Sequence, residues 1–232
     1  VKTGANHLFL SPPDDLELEL LRPAVRGRDV SPFAVAPAER IIWTHDPAGR
    51  ALATLPPAAA RHFARHNDAL RSRADDRGQA PWTLFRAAAG REVPRVIWPD
   101  LAARLEAVAL VGPAKLRMVP LNTCYVVICR QPLEALALTG WLNSTWIRAA
   151  ARATADRASG GYARFNARSV GSVPLPAGVL DDRRLASLAA RGATGEDVQE
   201  ELDGVAGDWL ALAPHDRLIL SRVVAMGSSR RR

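Results

Sequence analysis

An α+β fold is predicted: a mixed sheet of short strands, helices in irregular order, and a small helical appendage at the C-terminal end. Three observations predict it. Short β-branched runs with few charges, such as 40–43, 95–98 and 118–129, are scattered through the chain rather than evenly spaced. Helical patterns fall between them without the alternation that a doubly wound parallel sheet needs. After Pro176 the chain changes to short amphipathic helices. With 48% hydrophobic residues in a chain of 232, there is ample material for a buried core, which excludes disorder as a reading of the whole.

In chain order, residues 1–10 (VKTGANHLFL) read as a Thr-Gly turn with a strand-like end, and 11–14 (SPPD) as a loop. Residues 16–21 (LELELL) alternate apolar and acidic side chains as a half-exposed strand would. Arg26-Gly27-Arg28-Asp29 reads as a turn in which Asp29 could hold an arginine. Arg40–Trp43 is a short buried strand and Asp46–Gly49 a turn. Pro56-Pro57 opens a helix running to about Arg73, since proline is tolerated in a first turn. His62 and His66 stand at i and i+4 on it. Phe63 occupies the place where a zincin carries its glutamate, so stacking or solvated histidines are expected there rather than zinc.

Arg95–Asp100 reads as a core strand and turn, with Trp98 in the core. Residues 101–110 read as a short helix or as irregular structure. Residues 118–129 (MVPLNTCYVVIC) give the strongest strand pattern in the chain. Within it Asn122 needs either a buried hydrogen-bond partner or a ligand. Cys124 and Cys129, five apart, fall on opposite faces of that strand. They read as reduced packing residues of a cytosolic protein. A helix follows over 132–141, continuing into Leu142-Asn143-Ser144, and then an Ala/Arg helix that breaks at Gly160-Gly161. Tyr162, Arg164 and Phe165 are extended, and the segment closes on Val173–Pro176. The last helices are expected at about 180–191, 195–212 and 214–226, with Thr194 and Asp197 as a capping signal, followed by a disordered basic tail over 227–232. No apolar run approaches the ~18 residues of a membrane span. The first residue is not Met and no signal-peptide layout follows it, so the chain is expected to be cut from a longer one.

Charge is segregated. Residues 1–177 hold 23 Lys and Arg against 15 Asp and Glu, and residues 178–216 hold 3 against 9. A GC-rich codon bias accounts for arginine over lysine but not for this division. A basic body backed by an acidic helical part fits a nucleic-acid surface joined to a packing or partner surface. The segment 142–176 carries Arg148, Arg152, Arg157, Arg164 and Arg168 against one acid, Asp156, so its partner is expected to be anionic. From residue type and placement, Arg26, Arg28, Lys115, Arg117, Arg164 and Arg168 are the expected DNA contacts. Most should be to backbone phosphate, Arg164 included, so that removing it would lower the salt slope of binding by about one.

Several ordered segments resemble one family, the C-terminal target-recognition domain of adenine-specific DNA methyltransferases of the TaqI-like and type IIG restriction–modification group. They are Lys2-Thr3-Gly4-Ala5-Asn6 with Phe9; Arg22–Val30 (RPAVRGRDV); Arg95–Asp100; Leu121–Tyr125; Leu142-Asn143-Ser144 followed by Gly160-Gly161-Tyr162, Arg164 and Phe165; and the closing WLALAPHDRLIL. The resemblance implies a domain over 1–177 that grips duplex DNA and reads base edges, with 178–226 appended. It places Lys2, Thr3 and Asn6 near the DNA backbone, and Asn143 and Ser144 could donate to phosphate or simply cap backbone groups. Asn122, Arg152 and Tyr162 join the expected interface, Tyr162 with Phe165 as stacking residues beside Arg164. The partners implied are double-stranded DNA and an N-terminal methyltransferase domain of the parent chain.

S-adenosylmethionine is expected in that other domain and no cofactor in this chain. Ser11-Pro12-Pro13-Asp14 lacks the aromatic fourth residue of an amino-methyltransferase tetrapeptide, and no glycine-rich strand-to-helix turn precedes it. A nuclease site of the PD-(D/E)xK type is excluded, because Pro113 stands where the acid two before Lys115 would be. No catalytic or metal-binding residue is therefore assigned. The remaining alternative is a docking module of a DNA-modifying complex that makes no base-specific contacts.

Overall fold

The computed structural model describes residues 1–218 and is α+β. The first part of the chain is a short helix α1 (Asn6–Phe9), strands β1 (Leu21–Val25), β2 (Val30–Ser31), β3 (Ala34–Val35) and β4 (Glu39–Ile42), and helices α2 (Pro57–Arg65) and α3 (Asn67–Arg71). Next come β5 (Arg95–Pro99), β6 (Leu101–Ala102), β7 (Val108–Leu110), helix α4 (Pro113–Leu116), β8 (Val119–Pro120) and β9 (Cys124–Ile128). The remainder is α5 (Pro132–Asn143), α6 (Thr145–Thr154), the hairpin strands β10 (Asp156–Arg157) and β11 (Ala163–Arg164), and helices α7 (Ala167–Gly171), α8 (Arg183–Gly192) and α9 (Gln199–Trp209). The sheets are small: β4-β1-β8, β7-β5-β9, β10-β11-β6 and the pair β2-β3. Among the described residues only β1 and β8 run parallel, over two residues.

Two large cores and a smaller cluster result, and β5 stands between one of the cores and the cluster. Val96 and Trp98 face a core shared with Trp141, Ile147, Phe165 and Leu185. Ile97 faces the other way, into a small cluster with Val25, Val30 and Val108. The other large core gathers Phe9, Ile41, Trp43, Phe63 and Leu70 from the first part of the chain. Helix α5 begins on Pro132 and buries Ala135, Ala137, Trp141 and Leu142. It is apolar on more than one side because it lies between the β5 sheet and α8.

The helices after residue 177 belong to the same core as Trp98 and Trp141, through Leu185, Leu188, Val198 and Leu202, so no break in packing marks the division expected there. Asp182 caps α8 by accepting from the Arg184 and Leu185 amides, and its other oxygen accepts from Trp209 Nε1 at 2.6 Å, fastening the end of α9 to the start of α8.

Several expectations change. Residues 6–9 are helical, because Phe9 and Leu8 pack from one helical turn into the first core. The alternating stretch 16–21 is a short 3-10 turn, and the strand lies one step later, over Leu21–Val25, where β4 supplies its partner. Residues 101–110 contain two short strands rather than a helix. The long apolar run 118–129 is split by a turn at Asn122-Thr123 into β8 and β9, which belong to different sheets. Cys124 opens β9 and Cys129 lies beyond its end. Both are free thiols, pushed up to about 12 and about 11 by burial. Thr194 and Asp197 do not cap each other's helix; Asp197 accepts from the Gln199 amide, where α9 starts. The helix expected over 214–226 is present over the described residues 214–218, and the rest of that range and the tail 227–232 lie outside the described residues.

Candidate nucleic-acid interface

The hairpin after α6 is built by its sequence. Helix α6 stops at Thr154, whose hydroxyl turns back to the Ala151 carbonyl. Gly160 and Gly161 both take φ near +70°, at 68° and 78°, a pair of left-handed residues that a side chain at either position would strain. The chain then returns as β11 with exposure alternating: Tyr162 and Arg164 outward, Ala163 and Phe165 buried. In register, Arg164 stands opposite Leu101 of β6 on one side and Asp156 of β10 on the other. Leu101 is 45% exposed and Tyr162 50%. Between them lies an open surface pocket of about 390 Å³ bounded by Ala158, Ser159 and Gly160. Arg152 reaches the turn from α6, donating to the Gly161 carbonyl at 3.3 Å. Arg157 and Arg168 are exposed and form no ion pair among the described residues.

A second expected segment is joined to this hairpin through two residues that the sequence did not single out. The Gly27 amide donates to Thr123 Oγ1 at 3.0 Å, and the Asp100 amide donates to the Thr123 carbonyl at 2.9 Å. Asp100 in turn accepts from the Phe165 amide at 2.7 Å on its carbonyl and from Arg164 at 2.6 Å on its carboxylate. Gly27 is needed for this closeness, since a Cβ there would lie 2.9 Å from the Thr123 carbonyl oxygen and 3.1 Å from Pro99. Its close approach is therefore to its own chain. Arg26 forks onto Glu39 with two bonds of 2.8 Å, and Arg28 shares the same carboxylate at 2.7 Å. The bond from Arg26, with the charge of both arginines, holds the Glu39 carboxyl below its ordinary range. Asp29 accepts from the Arg26 amide at 2.8 Å, so Glu39, and not Asp29, orients that guanidinium.

The other expected contacts divide. Asn122 is exposed in the turn beside Thr123, so neither a buried partner nor a buried ligand accounts for it. Lys115 is half-buried on α4 and Arg117 exposed just after it, with a long 3.4 Å contact to the Glu19 carbonyl. Lys2 pairs with Asp75 and Asn6 is exposed, both in the neighbourhood of α3 rather than of the hairpin. Three expectations are corrected. Thr3 is buried, and its hydroxyl donates to Asn6 Oδ1 at 2.5 Å. Asn143 is fully buried and braces the Ala107 backbone, donating to its carbonyl at 2.8 Å and accepting from its amide at 3.0 Å. Ser144 is fully buried and bonds the Trp141 carbonyl. None of the three can meet a phosphate without unfolding its surroundings. Their polar atoms satisfy backbone groups instead.

Arg148 also leaves the anion-facing set. It donates to the Leu105 carbonyl, Gln199 and Asn143, and burial lowers its pKa to about 10. His62 bonds the Leu8 carbonyl and packs edge-on against His66, and no cluster of three metal-ligating side chains occurs among the described residues. No strand–glycine turn–helix unit of a nucleotide-binding sheet is present among the described residues either. Parallel pairing is confined there to β1 and β8, over two residues. No helix among the described residues is long and apolar enough to cross a membrane. No protein-family model matches this chain, and no curated protein matches it.

Proposed function

We propose that this chain recognises double-stranded DNA and is the target-recognition domain of an N6-adenine DNA methyltransferase, acting in restriction–modification or phage defence. The observation that supports DNA contact best is the hairpin, where an exposed tyrosine and exposed arginines surround a two-glycine turn that lets a ligand approach the backbone. The methyltransferase assignment rests on the ordered sequence segments alone. Under it, catalysis and S-adenosylmethionine belong to a separate N-terminal domain, this chain supplies the grip on the duplex, and the parent works in the cytoplasm. The docking-module alternative is favoured by one feature, the exposed Val127 and Ile128 on β9, an edge strand of its sheet.

The test is the affinity of the chain for a random-sequence duplex, titrated across salt. Binding whose logarithm falls linearly with that of salt, with a slope of roughly −0.9 for each phosphate neutralised, is the expected result. No binding at low salt would leave the docking module as the better reading.

A further inference from the structure

The arginines around the Gly160-Gly161 turn are not equivalent. Arg157 and Arg168 have no acidic partner among the described residues, whereas Arg164 donates through one terminal nitrogen to Asp100 at 2.6 Å. Asp100 is 18% exposed at its side chain and is fixed by backbone bonds to Thr123 and Phe165, while Arg164 remains 48% exposed. Two consequences follow from charge and entropy. A guanidinium already paired with a carboxylate displaces few counterions at a phosphate, so it contributes little to backbone affinity. A guanidinium already fixed in orientation loses little freedom on binding and presents its remaining donors as a fork.

Those remaining donors, Nε and the second terminal nitrogen, have no partner among the described residues. They are flanked by Leu101, directly opposite in register, and by Tyr162 on the same side of the extended segment. An ordered fork between an apolar side chain and an aromatic ring suits a planar target with two adjacent acceptors. A phosphate can also take such a fork, so it is the apolar and aromatic flanks that favour the planar target here. In the major groove guanine offers such a pair, O6 and N7, on one base edge.

We propose that Arg164, oriented by Asp100, reads a guanine in the target sequence, and that Arg157 and Arg168 supply phosphate contacts. Asp100 is then a positioning residue. The assignment rests on the DNA-binding reading above and replaces the expectation that Arg164 is a backbone contact.

The experiment is selection of binding sites from randomised duplexes with the whole chain. Affinities are then measured for the wild type, Arg164→Lys and Arg168→Ala on the selected duplex, and on the same duplex with 7-deazaguanine at the fixed guanine. Arg164→Lys keeps the charge and loses the fork. It is expected to lose discrimination at one guanine by about tenfold or more while its salt slope stays unchanged. The 7-deazaguanine substitution is expected to weaken the wild type and leave Arg164→Lys no weaker. Arg168→Ala, on α7 beside the hairpin, is expected to keep the preference and weaken all sequences alike, and an unchanged urea midpoint for Arg164→Lys shows that the hairpin variant stays folded. Wild-type selection without a fixed guanine, or an Arg164→Lys protein with undiminished preference, overturns the assignment and leaves the DNA reading standing. A chain that binds no duplex at low salt overturns both.

Discussion

Arginine is used in opposite ways at three buried sites in the first half of this molecule and around its hairpin. In the first half three guanidinium groups are built into the core. Arg73 donates to the carbonyls of Thr3, Leu70, Pro81 and Thr83 and lies over the rings of Phe9 and Phe85. Arg95 is fully buried and donates to the carbonyls of Ala89, Leu116 and Met118. Arg22 pairs with Glu92 at 2.5 Å over the face of Trp43. Around the hairpin, by contrast, Arg157, Arg164 and Arg168 are all exposed. The formal charge of +7 is thus a poor measure of the surface. Part of it fastens loops that have too little regular structure to satisfy their own carbonyls. What distinguishes the hairpin is that its arginines have few internal duties.

The sharpest way to break that comparison is to remove a buried arginine. Arg95→Met fills similar volume and leaves three carbonyls without their donor, so a loss of about 3–5 kcal/mol is expected, close to the whole stability of many domains. Urea unfolding followed by fluorescence reads it. A midpoint within error of the wild type would mean that Arg95 is no more structural than the arginines of the hairpin.

The same core sets a pH limit. His45 packs against Trp43 and its pKa is lowered to about 4, first by burial, which outweighs the opposing charge of Asp46, and further by the charge of Arg22. Its folded pKa therefore lies below the ordinary value of 6.5, so the unfolded chain takes up the proton first. Stability held by the neutral ring is complete above about pH 6.5 and is lost as pH falls toward 4, by at most ~3 kcal/mol. The paired carboxylates Glu39 and Asp75, held below their ordinary range, act only at lower pH. His45→Gln should flatten the unfolding midpoint between pH 6.5 and 4.5. An unchanged slope would place the pH sensitivity elsewhere. Arginine does not titrate in this window, so binding at the hairpin should be indifferent to it as long as the chain is folded.

How much of this the sequence showed depends on the range of the interactions involved. Local signals were reliable for Pro56-Pro57 and Pro132 at helix starts and for the buried strand over Arg95–Pro99, whereas the Ala/Arg helix expected to break at Gly160-Gly161 already stops at Thr154 and the two glycines form the hairpin turn. Periodicity failed where a run of one character crosses two sheets. Residues 118–129 look like a single strand, and only the turn at Asn122-Thr123 shows that they are two. At the candidate site Tyr162, Arg164 and Arg168 were legible because their exposure follows from a two-residue alternation and a short helix. Thr3, Asn143 and Ser144 were misplaced because a polar residue that braces backbone and one that meets a phosphate have the same local sequence. Asp100 and Thr123 were missed for the converse reason. Their partners, Arg164 and Gly27, lie 64 and 96 residues away, and nothing near them in sequence marks the contact.

The smallest effect on stability is expected where the comparison began, at the exposed end of the series. Arg168 stands on α7, a helix whose start is held by Asn166 accepting from the Ser169 amide at 2.9 Å, and its own side chain takes no part in that bond. Arg168→Ala should therefore change stability by no more than about 0.5 kcal/mol. In duplex binding the same change should weaken affinity across all sequences and reduce the salt slope by about one, the signature of a lost phosphate contact. Measuring both on one preparation separates the two uses of arginine within a single variant. A large loss of stability would show that Arg168 belongs with Arg73 and Arg95, and an unchanged salt slope would remove it from the interface.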